Sequence, residues 1–182
     1  MSPSDGSSPT YHTIVALVRD QPGVLSRVSG VIRRRNFNIA SLSVGHSEQE
    51  GLSRMTFVVY GDDEVAEQVT KQLRKLVDVV KVSDITRENI VARELALIKV
   101  RATPQTRSEI IQLVDIFRAN IVDVAPESLI IEVTGDEDKI ESLIRLLRSF
   151  GIREVMRSGR LAMMRGMPAE AEGGARERGE SA

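Results

Sequence analysis

The sequence predicts an α+β protein made of two similar units, each with four strands and two helices. Short apolar runs of strand length alternate with segments whose apolar residues recur at the spacing of one helical face. The order of these segments in the first half of the chain recurs in the second half, as expected of an internal repeat. The chain has 182 residues, of which 41% are hydrophobic, and this is enough for two small cores.

The first unit opens with a branched apolar run, TIVALV at residues 13–18, which is typical of a strand buried on both faces. Three arginines at residues 33–35 close the first helix, where the helix dipole favours cations. Gly61 ends a strand, and Asp62 and Asp63 are suited to cap the helix that follows. The predicted elements of this unit lie at residues 13–18, 24–35, 39–44, 54–60, 63–76 and 79–82.

The second unit repeats the order strand, helix, strand, strand, helix, strand. Gly135 stands before a helix, as Gly61 does, and acidic residues follow both glycines. Its hairpin, around Pro126, is predicted to be the shorter of the two. The predicted elements lie at residues 95–100, 108–117, 120–124, 129–134, 136–147 and 152–156. This βαββαβ order predicts a ferredoxin-like fold in each unit, with two helices covering one face of an antiparallel sheet.

The composition suggests where the domains begin and end. We predict a first domain over residues 11–85 and a second over residues 86–164, joined by a charged connector, TRENIVAR, at residues 86–93. The two ends of the chain, residues 1–10 and 165–182, are predicted to be disordered because they hold too few apolar residues to offset the entropy cost of ordering.

Charge and cysteine content exclude several classes of function. The net charge is −1, so no global field draws the chain to nucleic acid or to an anionic membrane. The chain has no cysteine and only two histidines, which argues against thiolate chemistry and against a metal site. The sequence shows neither a secretory signal nor a long apolar span, so we expect a soluble, cytoplasmic protein.

Enzyme motifs are also missing from the sequence. It holds no phosphate-binding loop, no dinucleotide fingerprint and no nucleophile elbow. His12, next to the predicted disordered end, and His46, at a predicted loop tip, are expected to be ordinary exposed residues. RNA recognition on such a sheet needs strand aromatics among basic residues, yet aromatics make up only 3% of the chain. The pattern therefore favours a binding module.

The first strand runs into the first helix through RDQPG, a stretch suited to binding a carboxylate. Pro22 and Gly23 fit a first helical turn, because Pro has no N–H to leave unpaired and Gly permits close approach. The N–H groups of Gly23, Val24 and Leu25 are expected to point out of the helix start with the dipole behind them.

Two polar residues extend this candidate site. Asp20 precedes the turn and is able to accept from an ammonium group, and Asn38 carries both a donor and an acceptor beside the apolar Ile39. Together with the helix start, these groups describe an amino-acid site. The residue types alone leave a plainer alternative open, in which Asp20 caps the helix and Asn38 only turns the chain.

Longer stretches resemble a known family. The segments RDQPGVLSRV, RRNFNIASLSV, LSRMTFVV and KQLRKLVDVVKV resemble the ACT domain of the small regulatory subunit of acetolactate synthase. The likeness continues through ARELALIKV and FRANIVDVAPESL, and it covers residues 11–165. PGVL is common to ACT domains in general, whereas LSRMT together with the KQL helix is particular to this subunit.

The resemblance implies a non-catalytic subunit that activates a thiamine-diphosphate-dependent catalytic subunit and confers feedback inhibition by valine or another branched-chain amino acid. Thiamine diphosphate, magnesium and FAD would belong to the catalytic partner, and no cofactor to this chain. A free-standing ACT-type amino-acid sensor acting on another enzyme is the alternative.

The resemblance also implies a homodimer or a higher assembly. Two first domains would share one sheet, and the effector would lie between the first loop of one chain and the neighbouring domain. The effector-binding residues implied in this way are Asp20, Gln21, Pro22, Gly23, Val24, Leu25, Asn38 and Ile39.

Overall fold

A computed structural model describes residues 10–166 of the protein. The ends predicted to be disordered therefore lie mostly outside the described residues. Two residues of those ends are ordered, contrary to the prediction. Thr10 already belongs to the first strand, and the N–H of Arg165 donates to Asn89 O at 2.8 Å.

The N-terminal unit has the predicted order of six elements. Its strands and helices are β1 (Thr10–Arg19), α1 (Val24–Arg34), β2 (Asn38–His46), β3 (Leu52–Gly61), α2 (Asp63–Leu73) and β4 (Val79–Asp84).

The C-terminal unit repeats this order and adds one strand. Its elements are β5 (Ile90–Arg101), α3 (Arg107–Ile116), β6 (Asn120–Ala125), β7 (Ser128–Gly135), α4 (Glu137–Leu147), a 3₁₀ turn (Arg148–Phe150), β8 (Ile152–Arg157) and β9 (Leu161–Met164).

Each unit folds as an antiparallel sheet with two helices, so the predicted pair of ferredoxin-like βαββαβ units is confirmed. The strand order is β2-β3-β1-β4 in the first sheet and β6-β7-β5-β8 in the second. Each sheet buries alternate residues against its helices, which gives one apolar core around Phe57 and Leu73 and another around Ile98 and Leu143. Among residues 10–166, no helix has the length and apolar character needed to cross a membrane.

The second helices of the two units begin in the same way. Asp62 Oδ1 accepts from the N–H of Val65, and Asp136 Oδ1 accepts from the N–H of Lys139, both at 2.9 Å. Each aspartate thereby satisfies a backbone donor that the helix itself leaves unpaired. The predicted capping role is confirmed for Asp62, whereas Asp63 is the first residue of the helix and its side chain accepts from Arg87.

The prediction of a connector at residues 86–93 is correct only for its first half, residues 86–89. Its last four residues, 90–93, form the start of the long strand β5, where they pair with β9. The sequence prediction contained no β9. The strand forms because Leu161 to Met164 meet residues 90–93 in antiparallel register, a pairing between segments far apart in the chain.

His12 is also placed differently from the prediction. It lies inside β1 with 3% of its surface exposed, rather than at a free end. Its Nε2 is 3.9 Å from Asp63 Oδ1 and its Nδ1 is 3.7 Å from Asp84 Oδ2. Among residues 10–166, no group of three or more acidic or histidine side chains is arranged to hold a metal ion.

Candidate functional site

Residues 20–23 form the loop between β1 and α1, and backbone hydrogen bonds fix where this loop starts. The N–H of Arg19 donates to Asp78 O at 2.8 Å, and the N–H of Asp20 donates to Gly51 O at 2.8 Å. The loop is therefore held between the β2–β3 loop on one side and the segment before β4 on the other.

The first helix begins on a glycine in the left-handed conformation. Gly23 occupies the N-cap position of α1 with φ of 83° and ψ of −5°, and no side chain caps the helix. Glycine adopts this conformation without the steric cost that a Cβ brings. A Cβ on Gly23 would also lie 3.1 Å from Nη1 of Arg27. The backbone conformation thus favours glycine here, and a side chain would also crowd the guanidinium of Arg27.

One of the three N–H donors expected at the start of α1 is not free. The N–H of Val24 is engaged, because it donates to Gln21 O at 3.3 Å. Among residues 10–166, the N–H groups of Gly23 and Leu25 have no acceptor. Two of the three N–H groups expected in the candidate carboxylate receptor are therefore free. Pro22, just before them, has no N–H of its own.

The apolar residues of the helix start divide between core and surface. Val24 is buried beneath α1 and has 3% of its surface exposed. Leu25, the next residue, has 47% of its surface exposed. The leucine side chain is thus accessible beside the two free N–H groups, where it offers apolar contact to a ligand.

Arg27 contributes a positive charge at the helix start that sequence reasoning missed. Its Nε donates to Asp78 Oδ2 at 2.6 Å, and Asp78 is buried. This bond draws the guanidinium over Gly23, close enough for the 3.1 Å approach noted above. The signal in the sequence was the four-residue spacing of Gly23 and Arg27, which places them on one helical face. A carboxylate bound here would meet this cation as well as the helix dipole.

Asp20 does not cap α1, which removes one half of the plainer alternative. Its Oδ2 lies 3.1 Å from Nδ1 of His46, at the end of β2, and both side chains are accessible. The carboxylate therefore faces outward beside the loop, where an ammonium group can reach it. His46 is exposed, as expected, with 86% of its side-chain surface accessible, and it lies at the end of β2 beside this loop.

Asn38 and Ile39 lie at the start of β2, far from the loop at residues 20–23 of the same chain. Asn38 is opposite Tyr60 on β3, whereas Arg19, next to the loop, is opposite Leu52 on the same strand. Eight residues of strand separate these two points on β3, which is about 26 Å at the usual rise per residue. Asn38 and Gly23 of one chain are thus at opposite ends of the sheet.

The geometry of β2 shows how the two halves of the candidate site can meet. Strand β2 is an edge strand, with β3 on one side only. In an antiparallel pair, the start of one strand lies beside the end of the other. If two copies of β2 pair in this way, Asn38 of each copy lies beside His46 of the other copy, and hence near its Asp20.

The βαββαβ frame and this loop at the start of α1 define a protein of the ACT-domain class. Residues 14–81 match the family described as AHAS small subunit-like ACT domain, and residues 93–166 match the family described as small subunit of acetolactate synthase.

Known proteins are similar in sequence to this chain over most of its length. The probable acetolactate synthase small subunit of Archaeoglobus fulgidus is 59% identical over 155 residues, which is 85% of this chain and 97% of the relative. The acetolactate synthase small subunit of Mycobacterium bovis is 52% identical over 159 residues, 87% of this chain and 95% of the relative.

A solved structure agrees as well. The crystal structure of the acetolactate synthase small subunit from Thermotoga maritima has a TM-score of 0.81 and 46% identity, and the match covers 87% of this chain and 99% of that one. The chain belongs to the acetolactate synthase small-subunit family. It is therefore a regulatory subunit whose partner is the large subunit of that enzyme.

Proposed function

We propose that this chain is a non-catalytic subunit that activates the thiamine-diphosphate-dependent large subunit of acetolactate synthase and confers feedback inhibition by a branched-chain amino acid, valine first among them. Membership of the family supports the activating role. The observation that carries the inhibitory role is the candidate site, whose halves lie at the two ends of one edge strand.

The groups at the site match the parts of an amino acid. The free N–H groups of Gly23 and Leu25, with Arg27 above them, suit the carboxylate. The outward carboxylate of Asp20 suits the ammonium group, and Asn38 of a second copy adds a donor and an acceptor. The exposed side chain of Leu25 and the half-buried Ile39 offer apolar contact to a branched side chain.

Regulation follows from linkage between binding and assembly. An effector held between two copies binds best when the β2 edges are paired, so it favours that arrangement over others. If the large subunit interacts differently with that arrangement, the effector changes the turnover of the large subunit. A coupling free energy of about 1–3 kcal/mol is enough for a useful response.

The cofactors belong to the large subunit in this proposal. Thiamine diphosphate supplies the carbanion chemistry of the reaction, and we place it there with magnesium and FAD. The present chain contributes binding and positioning surfaces.

Reconstitution tests the proposal directly. The purified chain is added to the large subunit from the same organism, and acetolactate formation is measured with and without valine, leucine or isoleucine. We expect no activity from this chain alone, higher turnover of the large subunit when the chain is present, and inhibition of that turnover by valine. Turnover that is the same with and without this chain would contradict the activating role.

Co-purification distinguishes the proposed subunit from the alternative, a free-standing amino-acid sensor. A free-standing amino-acid sensor would bind a branched-chain amino acid yet fail to retain the large subunit on an affinity column. A chain that retains the large subunit and responds to valine excludes that alternative.

A further inference from the structure

The RSGR segment, residues 157–160, runs between the two units and is bonded to both. On the N-terminal side, the hydroxyl of Ser43 donates to Ser158 O at 2.6 Å, and the N–H of Arg160 donates to Ser41 Oγ at 3.2 Å. Ser41 and Ser43 belong to β2 and lie on the face of the sheet opposite the helices. The segment is therefore fastened to the edge strand that also carries Asn38.

Arg160 joins the units through its side chain. One end of its guanidinium donates to Thr13 Oγ1 at 3.0 Å, on β1, and the other end donates to Glu137 Oε2 at 2.6 Å, in the first turn of α4. Thr13 is buried, with 2% of its surface exposed. A single guanidinium thus connects the inner strand of one sheet to a helix of the other unit.

Arg157 fixes the other end of the segment within the C-terminal unit. It forms a two-pronged pair with Glu94 at 2.7 and 2.8 Å, and it also bonds Glu141. Glu94 is buried, and its hydrogen bonds raise the pKa of the Arg157 guanidinium, which therefore stays charged. Glu137 and Glu141 are four residues apart on α4, so the two arginines hold one face of that helix.

Gly159 allows the segment to lie this close to β2. It has φ of 77°, and a Cβ at this position would lie 2.9 Å from Ser43 Oγ and 3.2 Å from Ser41 Oγ. A side chain here would strain the left-handed backbone and crowd both serine hydroxyls.

We propose that Arg160 is a positioning residue that holds the C-terminal unit against the first sheet and transmits the state of β2 to that unit. The transmission step rests on the proposed function, because it takes the effector to act at Asn38. The holding step does not depend on any effector. Since Ser41 and Ser43 follow Asn38 on the same strand, a shift of β2 on effector binding moves the RSGR segment with it, and Arg160 carries that movement to α4.

The holding step is tested by measuring the distance between the units in the full chain. The protein has no cysteine, so Gln68→Cys on α2 and Gln112→Cys on α3 accept spin labels at two defined, exposed positions. Labelled chains are diluted with unlabelled ones, and pulsed electron paramagnetic resonance gives the distribution of distances within a chain. Arg160→Gln is compared with Arg153→Gln, a control in β8 whose side chain forms no hydrogen bond or ion pair among residues 10–166.

We expect a narrow distribution for the parent and for Arg153→Gln, and a broadened or shifted one for Arg160→Gln. A distribution for Arg160→Gln that equals the parent's would overturn the proposal. Arg160→Glu with Glu137→Arg restores the ion pair in reverse and is expected to narrow the distribution again. If the single Arg160→Glu unfolds and the double variant does not, the pairing is supported. If the double variant folds but its distance distribution is as broad as that of Arg160→Glu alone, the pairing of residues 160 and 137 is refuted.

The transmission step is tested in the reconstituted enzyme. We expect Arg160→Gln to bind valine as the parent does in calorimetry, while the change in turnover caused by valine is largely lost, so that a coupling factor of about 5 to 150 falls toward 1. Full inhibition of the Arg160→Gln enzyme would overturn this step. If valine neither binds nor inhibits the parent, the proposed effector function and the transmission step both fail, and the distance measurement alone decides the holding step.

Discussion

Gly23 combines two structural demands at one α-carbon. Its left-handed conformation starts α1 without a side-chain cap, and its missing side chain leaves room for the guanidinium of Arg27, which would lie 3.1 Å from an added Cβ. The left-handed conformation determines how much stability the protein loses when residue 23 carries a side chain. The space above Gly23 determines where the positive charge of Arg27 meets a ligand. Two substitutions separate these contributions.

Gly23→Ala is expected to lower the free energy of unfolding by about 1–3 kcal/mol, because it forces a Cβ into a left-handed backbone. Gly23→Asp also brings a Cβ into this backbone and adds a carboxylate where the effector's carboxylate would sit, beside Arg27. We therefore expect Gly23→Ala to keep measurable valine binding and Gly23→Asp to lose it. Urea denaturation gives the stabilities, and calorimetric titration gives the affinities. Equal affinities for the two variants would argue against a carboxylate receptor at the helix start.

Asn38→Ala tests the other half of the site. The side chain of Asn38 is exposed in a single chain, so its loss should cost little stability. A hydrogen bond to a charged group contributes about 1.5–3 kcal/mol, so effector binding should weaken roughly ten- to a hundredfold. Activation of the large subunit should persist. Unchanged valine affinity in calorimetry would restore the alternative in which Asn38 only turns the chain.

Among the elements, those governed by local chemistry could be predicted and those governed by distant pairing could not. Asp62 and Asp136 mark helix starts because the cap bond reaches only three residues along the chain. Strand β9 has only four residues, none of them β-branched or aromatic, and it becomes a strand only through its pairing with residues 90–93. From the sequence alone, the same four residues of β5 fall within the connector, since TRENIVAR on its own is charged and short.

Strand β9 also leads to a prediction about stability. A chain that ends at Arg160 loses the antiparallel pairs between β9 and residues 90–93. Each net hydrogen bond contributes about 1 kcal/mol, so we expect the free energy of unfolding of this chain to fall by about 1 kcal/mol or more. The reference is a chain that ends at Gly166, which keeps β9. Urea denaturation followed by circular dichroism compares the two. Equal midpoints and slopes would show that β9 adds no stability.

On the scale of the whole molecule, the sequence identified residues of the candidate site but not their placement. Asp20, Gly23 and Asn38 stand out by type and by the family resemblance. Asn38 lies about 26 Å along the sheet from the loop that holds Asp20 and Gly23, and this separation depends on the register of β3 with both neighbouring strands. Register is a non-local property, so no local pattern reveals that Asn38 and Gly23 of one chain are far apart. A site built from both residues therefore needs two chains.

Mixed dimers test this two-chain site. In a dimer of one Gly23→Asp chain and one Asn38→Ala chain, one site receives both altered residues, and the other receives the intact loop of the second chain and the intact Asn38 of the first. Two variants that each bind the effector weakly or not at all as homodimers should therefore regain one site of parental affinity in the mixed dimer. We expect about one effector per mixed dimer, against about two per parent dimer, as two-fold symmetry requires.

The mixed dimers are isolated by coexpressing the variants with different affinity tags and purifying on both tags in turn. Light scattering then confirms the mass of the dimer, and calorimetry with valine counts the sites. The matched controls are the two homodimeric variants, which are expected to bind weakly or not at all under the same conditions. A mixed dimer that binds no better than these controls would show that Gly23 and Asn38 do not meet across two chains, and the pairing of β2 edges would then have to be abandoned as the basis of the effector site.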